Sequence, residues 1–490
     1  MLGARVAQIL NSDDLHTFHR PLWLDGKEVV TNTTFDVNSP KTEKKLYSCS
    51  SASVEDAQKA VDSCQRAWKS WKKTKSTEIR KILLKAADIM ESRLDELAGY
   101  QMEETGAPDF IVKSFNLPTT VEMFRDVAGR IGGIVGMIPQ TQDGGALVFK
   151  EPYGVILGIA PWNAPYILGL RAVIYALATG NTAILKGSEL SPRSFWAIGS
   201  VFHEAGLPAG VLNVLYHRPQ DAAAVTNRLI EAPEVKKVNF TGSTAVGAII
   251  AAKSGENLKP CLMELGGKAS ALVLDDADIE NAAFQCALGA FVHAGQICMS
   301  TERIVVHKSI LEPFSEALKG AIAKIYPDSG EAPILVARPA VEKNQKLIKD
   351  AVEKGAKLLY GDLNSKETNS HRLRPFVVQD VTKEMDLYYT ESFGPSVSLL
   401  TVESDDEAVD YANDTEYGLS GAIFTKDLQR GIRLARQIDS GAIHINQMSV
   451  HDEAGLPHGG VKKSGWGRFN HEYGLNEFLK LKTVTFAGDW

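Results

Sequence analysis

The sequence predicts an α/β fold of two lobes, each carrying a mostly parallel sheet, with a small β excursion beside them. Three observations predict it. Between 153 and 307, short apolar runs at 155–159, 182–185, 211–215, 237–240, 271–274 and 303–307 alternate with helical stretches such as 192–204 and 279–293. Apolar runs without polar alternation, separated by helices, are the pattern of parallel strands covered on both faces. The alternation resumes from 375 to 446, through 376–378, 397–400, 421–424 and 442–445, beyond a charged helical zone at 311–357. Finally, 490 residues with 44% hydrophobic and 23% charged side chains can bury large cores and are not a disordered composition.

Taken in order, Asp25-Gly26 within 21–30 supplies the positive φ angles of a tight hairpin turn. From 53 to 104 the pattern is helical. Val54, Ala57, Ala60, Val61 and Cys64 share one face, with Ser53 as N-cap. A second helix carries Leu83, Leu84, Ala87, Ile89, Leu94 and Leu97. The segment 131–150, with Gly144-Gly145, leaves the main body as an extended excursion.

Composition excludes several function classes. The net charge of −7 lacks the basic excess of a nucleic-acid or anionic-membrane binder. Five scattered cysteines make neither a disulfide framework nor a Cys-rich zinc site, so reduced thiols and no metal are expected. No apolar run reaches the roughly 18 residues of a membrane span. Residues 1–14 make a poor export or transit signal, and the expectation is cytoplasmic.

Five constellations can carry chemistry. Phe240-Thr-Gly242-Ser243 follows a predicted strand and opens a helix, where free N–H groups suit a phosphate; a plain strand-to-helix turn reads the same way. Lys186-Gly-Ser-Glu189 ends an apolar strand, where a carboxylate can accept from a ribose 2′-hydroxyl and repel a 2′-phosphate, or form a solvated pair. Glu264-Leu-Gly-Gly-Lys268 offers either a second ribose acid, 22 residues after Gly242, or a base in an apolar run. Gly295-Gln-Ile-Cys298 places a thiol in a turn between elements, reachable as a nucleophile, whereas Cys286 sits in an apolar helix; an ordinary buried cysteine is the alternative. His293 falls on the wrong face to serve that thiol and reads as structural. Pro161-Trp162-Asn163-Ala-Pro165 pins an amide that can stabilise an oxyanion, or forms a structural turn.

With Glu391-Ser-Phe393-Gly-Pro and Gly465-Trp-Gly-Arg468, these motifs stand in an order that resembles the aldehyde dehydrogenase superfamily, from about residue 20 to the C-terminus. The 34-residue spacing of Glu264 and Cys298 is similar to that family's as well. The resemblance implies a Rossmann-type cofactor-binding lobe, an α/β catalytic lobe and a small β oligomerisation arm. It assigns 1–130 and 151–263 to the NAD-binding domain, 264–445 to the catalytic domain and 131–150 with 480–490 to the arm. The segment 446–479 returns to the cofactor lobe.

By the same resemblance, Cys298 is the nucleophile, Glu264 the base that activates water, and Asn163 the oxyanion donor. Lys186 and Glu189 would meet the adenosine ribose and Ser243, beside Gly242, the pyrophosphate. Glu391 would hold the nicotinamide ribose, flanked by Phe393 and Trp162. The implied reaction is NAD(P)-dependent oxidation of an aldehyde to the acid through a cysteine thiohemiacetal and thioester, in a homodimer or homotetramer. NAD is expected rather than NADP.

Asn163-Ala-Pro-Tyr166-Ile-Leu-Gly-Leu-Arg171 and the residues around Cys298 look like the salicylaldehyde and vanillin dehydrogenase branch, which implies an aromatic aldehyde. Arg171, two helical turns beyond Asn163, can share its face and meet ring oxygens, with Tyr166 as a stacking wall; an arginine there can equally pair with an acid. His458 stands where the family usually has Phe, and either alters the substrate wall or substitutes as a planar ring. Other readings are an aliphatic or semialdehyde dehydrogenase of the same mechanism, a catalytically silent binding protein, and a cofactor-independent thiol hydrolase.

Overall fold

The computed structural model describes residues 19–327, 329–365 and 367–488. The expected lack of an export signal at 1–14 and the last two residues of the predicted arm lie outside them. Two compact units are present: Asn116–Val238 with the chain up to Gly106 and from Phe478 onward, and Asn239–Glu477 with Ala107–Phe115.

In the first unit, strands Val155–Ile159, Thr182–Lys186 and Leu212–Leu215 run parallel, side by side. The Leu22–Leu24 and Lys27–Val29 hairpin adds antiparallel through Trp23 and Val214, with Asp25 and Gly26 in the predicted left-handed turn. Helix Val54–Trp71 starts at Ser53, whose hydroxyl accepts from the Asp56 N–H while the Asp56 side chain caps Ser53 in return. The second predicted helix is two, Ser76–Ser92 and Leu94–Thr105, because Arg93 leaves helical geometry between them. The 131–150 excursion ends in strand Gly145–Pro152, which pairs antiparallel along its length with Leu479–Phe486.

In the second unit, seven strands stand in the order Lys357–Tyr360, Phe376–Gln379, Ser396–Val402, Thr301–His307, Ala269–Val273, Ser420–Phe424 and Ala442–Ile445. All pairs but the first are parallel. Alternate residues serve opposite faces: Leu272, Val305, Leu400 and Ile423 enter one core cluster, while Ala271, Val273, Ile304, Val306, Leu399 and Ala422 enter the other. Two buried faces explain the unbroken apolar runs in the sequence. The charged 311–357 zone is two helices, Leu311–Ile325 and Arg338–Glu353.

The two units divide after Val238, within strand Val235–Thr241. Strand Cys261–Glu264 is fastened antiparallel to Gly465–Trp466. The segment before that partner strand is held by the Gly418 N–H on Ser464 Oγ and by the Val461 N–H on the Gly418 carbonyl. All of these residues lie in the second unit. Among the described residues, no helix is long and apolar enough to cross a membrane.

Candidate active site

The predicted site residues divide between the units. Trp162, Asn163, Tyr166, Arg171, Lys186 and Glu189 belong to the first; Gly242, Ser243, Glu264, Cys298, Glu391, Phe393 and His458 belong to the second.

The second unit gathers its candidates around two glycines. Strand Cys261–Glu264 ends on Glu264, and the Glu264 carbonyl accepts from the Gly242 N–H at 3.1 Å. The chain then passes through Gly266-Gly267. A Cβ on Gly267 would lie 2.3 Å from the Cys298 carbonyl oxygen, so only glycine lets the two segments approach this closely. The Gly267 N–H donates to Glu391 Oε1 at 2.8 Å.

A buried ion pair ties the same segments together. Lys268 and Glu302 stand four residues after Glu264 and Cys298 respectively, and Lys268 Nζ lies 2.6 Å from Glu302 Oε2. The Lys268 ammonium also donates to the Thr390 carbonyl at 2.8 Å. Glu302 accepts the N–H groups of Ser392 and Phe393 and the Ser392 hydroxyl. One carboxylate therefore fixes the loop that carries Glu391 and Phe393. Burial pulls the Lys268 pKa below its usual range although Glu302 opposes this. Burial, with Glu302 nearby, raises Glu391 to about 7.

Upstream of Cys298, the helix Ile279–Phe291 ends earlier than predicted, and His293, Ala294 and Gly295 all take positive φ. Left-handed backbone at His293 and Ala294 costs roughly 1–2 kcal/mol per residue. Gly295 has no such cost, and its missing side chain makes room for the Gly394 carbonyl oxygen, 2.2 Å from where a Cβ would stand. Gln296 fastens the turn, donating to the His293 and Ile334 carbonyls and accepting from the Val336 N–H. Cys298 is partly exposed, while Cys49, Cys64 and Cys286 are buried; burial pushes the Cys64 thiol up to about 12. Of the five thiols, Cys298 alone combines access with a turn built by named hydrogen bonds.

Glu264 is 1% exposed, yet neither carboxylate oxygen has a hydrogen-bond partner among the described residues. His458 stands beside it, with Nε2 3.8 Å from Glu264 Oε1. Ser243 N-caps helix Thr244–Glu256 by accepting from the Val246 N–H. The helix start predicted after Gly242 is thus present.

In the first unit, Asn163 follows strand Val155–Ile159 and precedes the N-cap Ala164 of helix Pro165–Ala178. It is therefore not on that helix, and the expectation that Arg171 shares its helical face is corrected. Arg171 is 1% exposed on this wholly buried helix. The stacking role expected of Tyr166 is also corrected. Its ring is fully buried and its hydroxyl donates to the Leu97 carbonyl at 2.8 Å, so it packs as core. Lys186 ends its strand; burial lowers its pKa and Glu189 opposes the shift. Glu189 accepts from the Ser188 hydroxyl at 3.2 Å.

Sequence reasoning gave no role to Lys268, Glu302, Gln296 or Asp452. Only the first three lay inside quoted motifs, and their partners are far along the chain.

The model of the aldehyde dehydrogenase family matches residues 23–484. A vanillin dehydrogenase from a Pseudomonas species is 43% identical, over 96% of this chain and 98% of that protein. The crystal structure of a salicylaldehyde dehydrogenase from Pseudomonas putida G7, complexed with salicylaldehyde, superposes with TM-score 0.92 at 36% identity, covering 96% of this chain and 99% of that one. A crystal structure of an NAD-dependent aldehyde dehydrogenase from Sinorhizobium meliloti gives TM-score 0.92 at 30% identity, over 97% and 96% of the two chains.

Proposed function

The chain belongs to the aldehyde dehydrogenase family and oxidises an aldehyde to the carboxylic acid with NAD(P), and within that chemistry we propose the residue roles, the cofactor preference and the substrate class. Cys298 Sγ bonds to the aldehyde carbon, and the oxyanion that forms is held by the Asn163 amide and the Cys298 N–H. The nicotinamide cofactor, when bound, supplies the oxidation by taking up the hydride. The acyl group remaining on Cys298 is a thioester. Glu264 takes a proton from the water that hydrolyses it, and the acid leaves. The observation that carries this reading is the unpartnered, buried Glu264 carboxylate, whose segment touches the Cys298 carbonyl at Gly267.

The donor set fits a dinucleotide. Lys186 and Glu189 offer a cation and a carboxylate at a strand's carboxyl end, which suits a vicinal diol. Glu391 Oε1 is held by Gly267, while its Oε2 makes no hydrogen bond among the described residues and can accept a ribose hydroxyl. Ser243, beside Gly242 at a helix start, would meet the pyrophosphate, and Trp162 and Phe393 would serve the nicotinamide end. Glu189 disfavours a 2′-phosphate, so NAD is preferred. Equal kcat/KM for NAD and NADP would overturn that preference.

The vanillin and salicylaldehyde dehydrogenases among the relatives support an aromatic aldehyde, and the buried Arg171 is proposed to meet its ring oxygens. NADH formation measured over an aldehyde panel tests this. Hydroxylated benzaldehydes should exceed aliphatic aldehydes of similar size, and Arg171→Leu should lower kcat/KM more for salicylaldehyde than for benzaldehyde. Cys298→Ala should abolish turnover. The arm of Gly145–Pro152 and Leu479–Phe486 exposes Phe149, Leu481 and Val484, which supports a homodimer or homotetramer readable by sedimentation.

A further inference from the structure

His458 occupies a position at which the family usually carries a phenylalanine, and a phenylalanine could not take part in what surrounds it. The ring is buried between two carboxylates: Nε2 lies 3.8 Å from Glu264 Oε1 and Nδ1 lies 3.9 Å from Asp452 Oδ1. Its backbone is pinned by reciprocal bonds with Phe469, the His458 N–H donating at 3.0 Å and its carbonyl accepting at 2.8 Å. Asp452 is fixed by the amide of the buried Asn470, which donates to Asp452 Oδ1 at 3.0 Å. Among the described residues, His444 on strand Ala442–Ile445 feels the charge of His458 and of His451, whose ring centroid lies 4.8 Å from its own, and the Arg468 guanidinium donates to the Gly460 and Gly467 carbonyls. Gaps of 3.8–3.9 Å are too short to hold a bridging water and close to hydrogen bonds with a small rotation of either side chain. The Glu264 carboxylate otherwise has no hydrogen-bond donor among the described residues.

We propose that His458 is a positioning residue acting through Glu264: it receives the proton that Glu264 takes from the hydrolytic water, while Asp452 orients the ring and balances its charge. This rests on the assignment of Glu264 as the base. In the step, the water oxygen bonds to the thioester carbon. One water proton moves to Glu264 and on to His458 Nε2. The C–S bond breaks with its electron pair on Cys298 Sγ, and the second water proton is lost when the acid ionises. Asp452 keeps the Nδ1 proton directed toward itself, leaving Nε2 as acceptor, the arrangement by which a carboxylate fixes a histidine tautomer.

The test uses p-nitrophenyl acetate, which acylates an active thiol without cofactor, so the p-nitrophenolate burst reports acylation of Cys298 and the steady phase reports hydrolysis. His458→Phe, the family's usual residue, should keep the burst, lower the steady phase about tenfold, and remove one ionisation from its pH profile; a direct general base is worth about 10²–10⁴-fold. Asp452→Asn should slow the same phase less. A steady phase and pH profile unchanged in His458→Phe, or a change confined to KM, overturns the proposal. A parent enzyme without a burst, or a burst surviving in Cys298→Ala, overturns the assignment of Cys298 beneath it instead.

Discussion

Two glutamates, one in each unit, are equally buried at 1% exposure and opposite in every other respect. Glu104, in helix Leu94–Thr105, accepts the Arg193 and Ser194 N–H groups, the Ser194 hydroxyl and the Tyr47 hydroxyl, and so caps helix Pro192–Ala205 from a distance. The Glu264 carboxylate accepts from no donor among the described residues. A buried carboxylate without donors pays its desolvation uncompensated, and a fold tolerates that where the group is needed for chemistry. Donor count, rather than burial, separates Glu104 from the glutamate proposed as the base.

That contrast can be broken from either side. The largest effect is expected for Glu264→Gln, with steady turnover down about 10³-fold, within the range for a general base. Its denaturation midpoint should match or exceed the parent's, because a neutral amide removes the uncompensated charge. Lys268→Met leaves Glu302 buried without its cation and should cost about 3–5 kcal/mol by denaturant unfolding. Glu104→Gln presents N–H groups to donors and should cost about 2–3 kcal/mol, while kcat per folded molecule stays within about twofold.

An effect that vanishes at low pH sharpens the comparison with a third carboxylate. Glu391 has one backbone donor and a pKa raised to about 7, from 4.5. Because the folded form holds its proton more tightly than the unfolded chain, its stabilising contribution is full below the unfolded value and is lost as pH rises through the folded one. Glu391→Gln should therefore leave stability unchanged near pH 4 and raise it by about 3 kcal/mol above pH 7. A gain that is equal at both pH values would contradict the raised pKa.

Much of this was legible in the sequence. The parallel strands, the Ser53 cap, the Asp25-Gly26 turn and the motifs of Glu264 and Cys298 are local patterns, and local patterns survive in one dimension. Glu104 was not legible: in Gln101-Met-Glu-Glu104 it looks like one of two solvated acids, and its donors lie 57 residues before it and 89–90 residues after. Glu302 likewise bonds residues 90 positions away. The His293-Ala294 turn puts left-handed backbone on two residues whose types give no sign of it. Tyr166 was misread because a motif shows that a ring is present, whereas only packing shows where its hydroxyl goes.

The most direct test measures Glu264→Gln and Glu104→Gln side by side, following the p-nitrophenyl acetate burst and steady phase together with the denaturation midpoint. The account predicts that Glu264→Gln keeps a full burst and a parental midpoint but loses its steady phase, while Glu104→Gln keeps both phases and loses stability. A steady phase at the parent's rate in Glu264→Gln, or one lost in Glu104→Gln at full folding, would contradict it.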